Sequence, residues 1–292
     1  MKFSNLYKKY CVLGIILTTA ILSACKKDGN PNNLPDIDPS IYEGTIGGYK
    51  TSEEIFKDNL VAYFSFDDTY AEKFSNTAPT LKAGDSFVAG FKGKALNLNA
   101  GYLYYGSQLP ALKTDVFKSF TISQWIEISN NGSKRTMLLT LARPGLLQGS
   151  LNINLNTQST NAAFLGIQPV FATVGGGTQD NLNANASPKF GVGNWVNLVL
   201  SYNGLTGRFN IVANGVNIGS YSDRGTGNSL FKSYEPGELI IGANYNGVPG
   251  KTVNADAAYA PMSGKIDEIK IYNAFIPDAI IKAMYQLTLA GK

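Results

Sequence analysis

The 292-residue chain has no histidine and only two cysteines, Cys11 and Cys25. Without histidine the chain cannot build a Ser-His-Asp triad, a Cys-His nucleophile or a zinc site based on histidine. Cys11 lies in an N-terminal segment that is expected to be cleaved, and Cys25 is expected to carry lipid, so no disulfide is expected. The chemistry that remains comes from Asp, Glu, Lys and Tyr, or from a cation with oxygen ligands such as calcium.

The N-terminus has the pattern of a secretory signal peptide. Three lysines precede the apolar run 12–22, which is too short to span a membrane comfortably. The run leads into Leu22-Ser23-Ala24-Cys25, which resembles the lipobox of bacterial lipoproteins. This resemblance implies cleavage before Cys25 and lipid attached to it, so that the chain is anchored to a membrane. The alternative is an ordinary signal peptide followed by a cysteine that occurs there by chance.

The residue after Cys25 indicates which membrane is involved. Lipoproteins retained at the inner membrane carry Asp at this position, whereas this chain has Lys26. The resemblance therefore implies an outer-membrane lipoprotein, lipid-anchored on either the periplasmic or the cell-surface side. Several acyl chains, each contributing about 0.8 kcal/mol per buried CH₂, would make the anchoring firm.

Cleavage of the signal peptide would also remove most of the formal net charge of +4. The signal contains three lysines and no acidic residue, which leaves 22 basic and 21 acidic residues in the mature chain. These residues form no Lys/Arg cluster, so nucleic acid is not expected as a partner.

The chain divides into three predicted segments. These are a lipoprotein signal peptide over residues 1–24, a lipidated cysteine with a flexible tether over 25–58, and one domain over 59–292. Prolines 31, 35 and 39 lie among Asn, Asp and Gly, a composition that favours an extended tether. The roughly 230 residues that follow are enough for one well-buried core.

Alternation of apolar and polar residues with period two dominates from residue 60 onward. It predicts strands at 60–66, 119–128, 136–142, 150–156, 194–202, 207–215, 238–243 and 263–275. Asn214-Gly215 predicts a hairpin, and Pro277-Asp278 begins a short helical pattern. Many strands of similar length with one terminal helix indicate an all-β, two-sheet antiparallel sandwich.

The order of these segments is similar to that of laminin-G-like, concanavalin A-like lectin/glucanase domains. The likeness covers residues 58–288 and is carried by LVAYFSFDD, GFKGKALNLNAGYLYYG, SFTISQWIEI, NWVNLVLSYNGLTGRFNIVANGVNIGS, ELIIGA and SGKIDEIKIYNAFIPDAIIKAMY. The resemblance implies a jelly roll with a short C-terminal helix, in which the first and last strands are antiparallel neighbours. It leaves activity open, because this fold carries lectins, carbohydrate-binding modules, glycosidases and adhesins.

Catalysis is not the favoured interpretation. Glycosidases need two facing carboxylates, and the Glu-x-Asp-x-x-Glu strand of the glucanase branch is absent here. Lyases of this fold use a Tyr or His base, but histidine is missing and tyrosine is too common to indicate a site. The favoured interpretation is a non-catalytic carbohydrate-binding module. The alternative is a structural or adhesive protein-binding module, and a glycoside hydrolase or polysaccharide lyase is less favoured.

Asp267 lies in the last predicted strand, where alternation places it on the same face as Ile269 and Ile271. It could be a catalytic acid, a metal ligand, or a structural acid that accepts hydrogen bonds from the backbone of a loop. The family resemblance places Asp67 and Asp68 beside it, and clustered carboxylates repel unless a cation or N–H groups satisfy them. A structural calcium at these three residues is one expectation, and a capped loop is the other.

Aromatic residues on polar surfaces are the candidates for sugar binding, since sugars stack on flat rings. In SFTISQWIEI, alternation places Trp125 and Glu127 on the face opposite the isoleucines. The loop 242–262 carries Tyr245 and Tyr259 among Asn, Asp and Gly. We therefore predict these four residues as ligand-binding, with packing under a loop as the alternative for Trp125.

The lipoprotein prediction is tested by Cys25→Ala. We expect this variant to leave the membrane fraction and to lose the mass of the lipid, because the thioether cannot form. Cys11→Ala, inside the predicted signal peptide, should change neither property. Membrane retention of Cys25→Ala, together with a wild-type mass that includes no lipid, would contradict the prediction.

Overall fold

The computed structural model describes residues 44–157, 161–180, 187–221 and 227–292. Residues Gly44–Lys292 form one compact unit, which includes residues 44–58 of the predicted tether. Ile55 is 1% exposed, and the backbone N–H of Ser52 donates to the carbonyl oxygen of Lys292 at 3.2 Å. The predicted signal peptide, Cys25 and the tether up to residue 43 lie outside the described residues.

Fourteen strands and one α-helix make up the regular structure of the described residues. The strands are β1 Leu60–Phe64, β2 Leu81–Ala89, β3 Lys94–Tyr105, β4 Phe120–Ile128, β5 Thr136–Arg143, β6 Leu146–Thr157, β7 Phe164–Ala172, β8 Thr178–Asp180, β9 Lys189–Gly191, β10 Val196–Asn203, β11 Arg208–Ala213, β12 Val216–Tyr221, β13 Glu238–Ile241 and β14 Met262–Tyr272. The helix, α1, is Asp278–Leu289. Short 3₁₀ turns lie at Ser52–Glu54, Lys57–Asn59, Pro110–Leu112, Gly227–Ser229 and Tyr245–Gly247.

The strands pair antiparallel along one hydrogen-bonded path. Its order is β12-β11-β10-β4-β14-β3-β13-β5-β6-β7-β8, with β1 beside β14, β2 beside β3 and β9 beside β7. The path curls, and β3 joins its two halves because it pairs with β14 and with β13. Both halves contribute to one hydrophobic core. The predicted all-β antiparallel sandwich with a short terminal helix is therefore confirmed, as is the pairing of the first strand with the last.

Period-two alternation builds this core. Val196, Leu198 and Leu200 of β10 lie in it, and Leu198 and Leu200 are fully buried. Phe120 of β4 stacks on Phe117 with ring centroids 4.7 Å apart. Burying each such side chain contributes about 1.5–3 kcal/mol, so the alternating faces fix which side of each strand points inward.

Helix α1 covers part of the opposite, outer face of the β10–β4–β14 region. Its apolar side packs Ile281, Met284 and Leu287 against Val199 and Tyr272. The Asn214-Gly215 turn between β11 and β12 has φ values of 50° and 74°, as a tight hairpin requires. In the ranges that the structure describes, no helix combines the length and the apolarity needed to cross a membrane.

A bulge in β14 corrects the predicted phase of this strand. Between Asp267 and Lys270, β14 has one more residue than β4 has opposite it, and Glu268 adopts a positive φ of 52°. Ile266 and Ile269 consequently both point into the core, although they are three residues apart. Asp267 therefore does not share the core face, as strict alternation predicted, but lies on the outer face.

Candidate functional site

Trp125 lies on the outer face, but its ring is covered. The side chain is 5% exposed. Phe91 stacks on it with ring centroids 3.4 Å apart and an interplanar angle of 8°, and Tyr285 of α1 approaches with a centroid distance of 5.8 Å. The expectation of a ring available for a ligand is corrected here, because a loop and a helix enclose it. Trp125 is a packing residue in this structure.

Asp267 holds the loop that carries Phe91. It is opposite Trp125 on the neighbouring strand and is fully buried. Its Oδ2 accepts a hydrogen bond from the backbone N–H of Lys92 at 2.9 Å. Gly90 permits this close approach, since a Cβ there would lie 2.6 Å from the same oxygen. This arrangement is the capped loop, one of the roles that the sequence left open.

The environment of Asp267 disfavours its charged form. Burial raises the pKa of this carboxyl to about 7, against the lowering effect of the Lys92 N–H, and the negative charges of Glu268 and Asp67 raise it further. Its Oδ1 has no hydrogen-bond partner within the described part of the chain. Asp267 is therefore partly protonated near neutral pH.

The predicted calcium ligands do not form one set. Asp68 pairs with the Lys94 ammonium at 2.5 Å, and Asp67 accepts from the Lys94 backbone N–H at 3.2 Å. Asp267 faces Lys92 instead. Residues 44–157, 161–180, 187–221 and 227–292 contain no group of three or more Asp, Glu, Cys or His side chains placed to hold a metal ion. Backbone or lysine donors contact Asp67, Asp68 and the Oδ2 of Asp267, so the three carboxylates do not converge on one point, while Oδ1 of Asp267 has no such donor.

The two predicted tyrosines lie apart from Trp125. Tyr245 is 2% exposed and its hydroxyl donates to Glu238 at 2.5 Å, so the expectation of an exposed ring is corrected. Tyr259 is partly exposed and its ring lies 6.0 Å from the guanidinium of Arg135. Neither tyrosine is among the residues that line the open groove around Glu127.

Glu127, the fourth predicted residue, lines an open groove of about 380 Å³ on the outer face. The groove lies between β3, β4 and β14. We name it the Glu127 groove. Its polar lining residues are Asn97, Asn99, Glu127, Ser129, Ser263 and Lys265. Each of these groups can donate or accept a hydrogen bond.

Strand register explains why these side chains meet. Asn97 of β3 is the cross-strand partner of Lys265 of β14, which is in turn the partner of Glu127 of β4. Trp195 immediately precedes β10. The residue after it, Val196, pairs with Ile126 of β4, so Trp195 lies level with Glu127. The four therefore form one row across the sheet. Side chains at such positions share a face.

Trp195 supplies an aromatic surface beside the groove. Its side chain is partly exposed, and the Lys265 ammonium lies 5.8 Å from its ring. Phe91 meets the Trp195 ring edge to face at 6.4 Å. Trp195 is not among the residues predicted from the sequence, although the inward positions of Val196 and Leu198 imply an outward position for it.

The centre of the groove is an ion pair. The Lys265 ammonium lies 2.9 Å from Glu127 Oε1, and the two side chains are 31% and 26% exposed. A partly exposed pair contributes at most about 1 kcal/mol to stability, so its main effect is to orient two charged groups. Gly264 lets β14 approach β4 at this point. It has a φ of 142°, and a Cβ would lie 2.5 Å from the Glu127 carbonyl oxygen.

Comparison with known proteins identifies the family. A family model described as the Concanavalin A-like lectin/glucanases superfamily, of laminin G type, matches residues 101–282. No curated protein sequence matches the chain significantly.

Several solved structures are similar to this chain. The binding domain of Paraclostridial Mosquitocidal Protein 1 has a TM-score of 0.54 and 18% identity, over 79% of this chain and 52% of that chain. Domain 4 of AbnA, a GH43 extracellular arabinanase from Geobacillus stearothermophilus in complex with arabinotriose, has a TM-score of 0.51 and 17% identity, over 78% of this chain and 98% of that chain. Trypanosoma rangeli sialidase has a TM-score of 0.52 and 10% identity, over 78% of this chain and 33% of that chain.

The extent of these matches limits what they show. This chain spans about half the length of the mosquitocidal binding domain. At identities of 10–18%, the likeness shows the fold alone.

The packing role of Trp125 is tested by Trp125→Ala. We expect the free energy of unfolding to fall by about 3–5 kcal/mol, as for other buried aromatic truncations. Denaturant titration followed by circular dichroism measures it. Trp195→Ala removes a partly exposed ring, so it should lower the free energy of unfolding by less. An unchanged midpoint for Trp125→Ala would show that its ring is exposed.

The raised pKa of Asp267 predicts a pH dependence of stability. Because the folded pKa of about 7 exceeds the ordinary aspartate pKa of 3.8, the folded state binds more protons between these pH values. The free energy of unfolding therefore falls as the pH rises from about 4 to about 7. Asp267→Asn cannot ionise, so it should be more stable than wild type at pH 8, by up to about 4 kcal/mol, with no difference near pH 4.

Urea titrations at several pH values measure this difference. Asp68→Asn, which removes an exposed carboxylate, should retain the wild-type pH dependence. Equal pH slopes for Asp267→Asn and wild type would contradict the prediction.

Proposed function

The chain belongs to the Concanavalin A-like lectin/glucanases superfamily, and from this membership we propose that it is a non-catalytic carbohydrate-binding module. In this proposal an oligosaccharide or polysaccharide lies in the Glu127 groove. The observation that carries it is the combination of a row of polar side chains with the partly exposed ring of Trp195 at its end. Proteins recognise sugars by stacking on aromatic faces and by hydrogen bonds to hydroxyls.

The polar groups of the groove suit hydroxyl ligands. Asn97 and Asn99 each offer an amide donor and acceptor, and Ser129 and Ser263 each offer a hydroxyl. The openness of the groove to solvent suits a chain that extends past the site on either side. A polymer is therefore a better ligand for this surface than a small metabolite, which would be enclosed on few sides.

The composition of the groove supports binding without turnover. Glu127 is the one carboxylate among the residues that line it, all of which lie in the described ranges. Glycoside hydrolysis usually needs two carboxyl groups about 5–10 Å apart. The lack of histidine in the chain also removes the commonest general base.

Two structural relatives support a binding role in coarse terms. The structure of the arabinanase domain contains bound arabinotriose, and the similar part of the mosquitocidal protein is its binding domain. These relatives favour a binding module over a purely structural one, while the assignment of the ligand to the Glu127 groove rests on the geometry of this chain.

The proposal includes an address outside the cytoplasm. The Leu22-Ser23-Ala24-Cys25 segment supports an outer-membrane lipoprotein, lipid-anchored on the periplasmic or cell-surface side. At that position the module meets polymers, and many anchored copies on one membrane raise the apparent affinity for a repetitive chain. A modest affinity for each single site is therefore sufficient.

Affinity electrophoresis through gels that contain soluble polysaccharides tests this function. Trp195→Ala should weaken retention about tenfold, equivalent to 1.4 kcal/mol, which is the size of one aromatic contact. Phe74→Ala removes a ring that is 58% exposed and does not line the groove, so it should migrate like wild type.

Melting temperatures should accompany both variants, so that loss of binding is separated from loss of folding. If wild type is retained by no polysaccharide, a protein-binding module replaces the proposal. If Trp195→Ala is retained as strongly as wild type, the ligand lies elsewhere on the domain.

A further inference from the structure

The Glu127 groove is electrically balanced. Lys265 and Glu127 are its one base and one acid, and their charged atoms are 2.9 Å apart. Its other polar residues are asparagines and serines, which carry no charge. At this separation the two charges largely cancel beyond the pair, so the groove presents local donors and acceptors rather than a field of one sign.

Lysines close in sequence to the neighbouring Phe91 do not disturb this balance. Lys92 lies 3.7 Å from Glu53, and Lys94 lies 2.5 Å from Asp68. Asp267, two residues from Lys265, is fully buried and faces the Lys92 backbone. Each of these two lysines has an acidic partner of its own, so neither adds surplus positive charge that would attract an anionic ligand.

The ion pair matches a neutral hydroxyl group. A hydroxyl can donate to the Glu127 carboxylate and accept from the Lys265 ammonium at the same time. A ligand carboxylate cannot do this, because it only accepts hydrogen bonds and is repelled by Glu127. A carboxylate that accepts from the Lys265 ammonium would lie close to the Glu127 carboxylate, and the repulsion between the two negative charges would weaken its binding.

We infer that the Glu127–Lys265 pair makes the groove selective for neutral glycans, with Glu127 as the residue that excludes uronic acids and other acidic sugars. The inference rests on the proposed function and adds the ligand class to it. Glu127 is in this view a specificity residue that contacts the sugar, and Lys265 is its partner at the same hydroxyl.

Matched ligands test this selectivity. Soluble glucan, mannan and galactan are each compared with their C6-oxidised derivative, in which a carboxylate replaces the primary alcohol. Affinity electrophoresis gives the ratio of the two affinities for each pair. Wild type should prefer the neutral member of the pair that it binds by about tenfold or more, the effect of one well-placed interaction.

Glu127→Gln keeps the shape of the side chain and leaves the positive charge of Lys265 uncompensated. We expect the ratio of its affinities for the neutral and the oxidised ligand to shift at least about tenfold in favour of the oxidised ligand. The gain in binding of the oxidised ligand should decrease as the ionic strength rises from about 0.05 to 0.5 M. The matched control is Asp68→Asn, which also releases a lysine from an ion pair but lies outside the groove. Its ratio should equal that of wild type.

Each outcome decides between the two proposals. If wild type binds both members equally and Trp195→Ala weakens both, the carbohydrate-binding function stands and the selectivity is overturned. A preference of wild type for oxidised ligands, or an unchanged ratio in folded Glu127→Gln, also overturns it. If wild type binds no member of any pair, the proposed function and the inference fall together.

A second variant covers the case in which Glu127→Gln does not fold. Lys265→Met removes the positive charge and leaves Glu127 alone, so it should discriminate against the oxidised member more strongly than wild type does. Improved binding of oxidised ligands by this variant would overturn the role of Glu127.

Discussion

The extra residue in β14 determines how the outer face of the sheet is built. The bulge at Asp267 and Glu268 turns the Asp267 carboxylate away from the core and toward the loop before β3. That carboxylate holds the Lys92 backbone and thereby places Phe91 over Trp125. Phe91 in turn contacts the edge of Trp195. A local change in strand geometry therefore sets both the covered and the open parts of this surface.

The covered and open parts differ although they belong to the same strands. Trp125 and Glu127 are two residues apart on one face of β4, but only Trp125 lies beneath Phe91 and helix α1. The covered part buries apolar area and an acid of raised pKa, so it contributes to stability in a pH-dependent way. The open part exposes an ion pair and amides, which contribute little to stability and remain accessible to a ligand.

Much of the fold follows from the sequence, because period-two alternation directly reports which side chains face the core. It placed Leu198 and Leu200 correctly, and it put Glu127 on the polar face. It failed at Asp267, since a bulge shifts the phase without changing the local composition. It also could not show the burial of Trp125, because the covering rings of Phe91 and Tyr285 come from distant parts of the chain.

The position of the ion pair links the fold to the proposed ligand class. Lys265 and Glu127 occupy facing positions on two central strands, and Gly264 allows these strands to approach closely beside them. The backbone of the sheet, and not a flexible loop, therefore fixes the distance between the two charges. Rigid placement matters because a hydroxyl that bridges a carboxylate and an ammonium needs both at hydrogen-bond distance at once. The polar site thus lies on a rigid surface, which is held by the apolar core on the opposite face of the sheet and by the packing around Trp125 beside it.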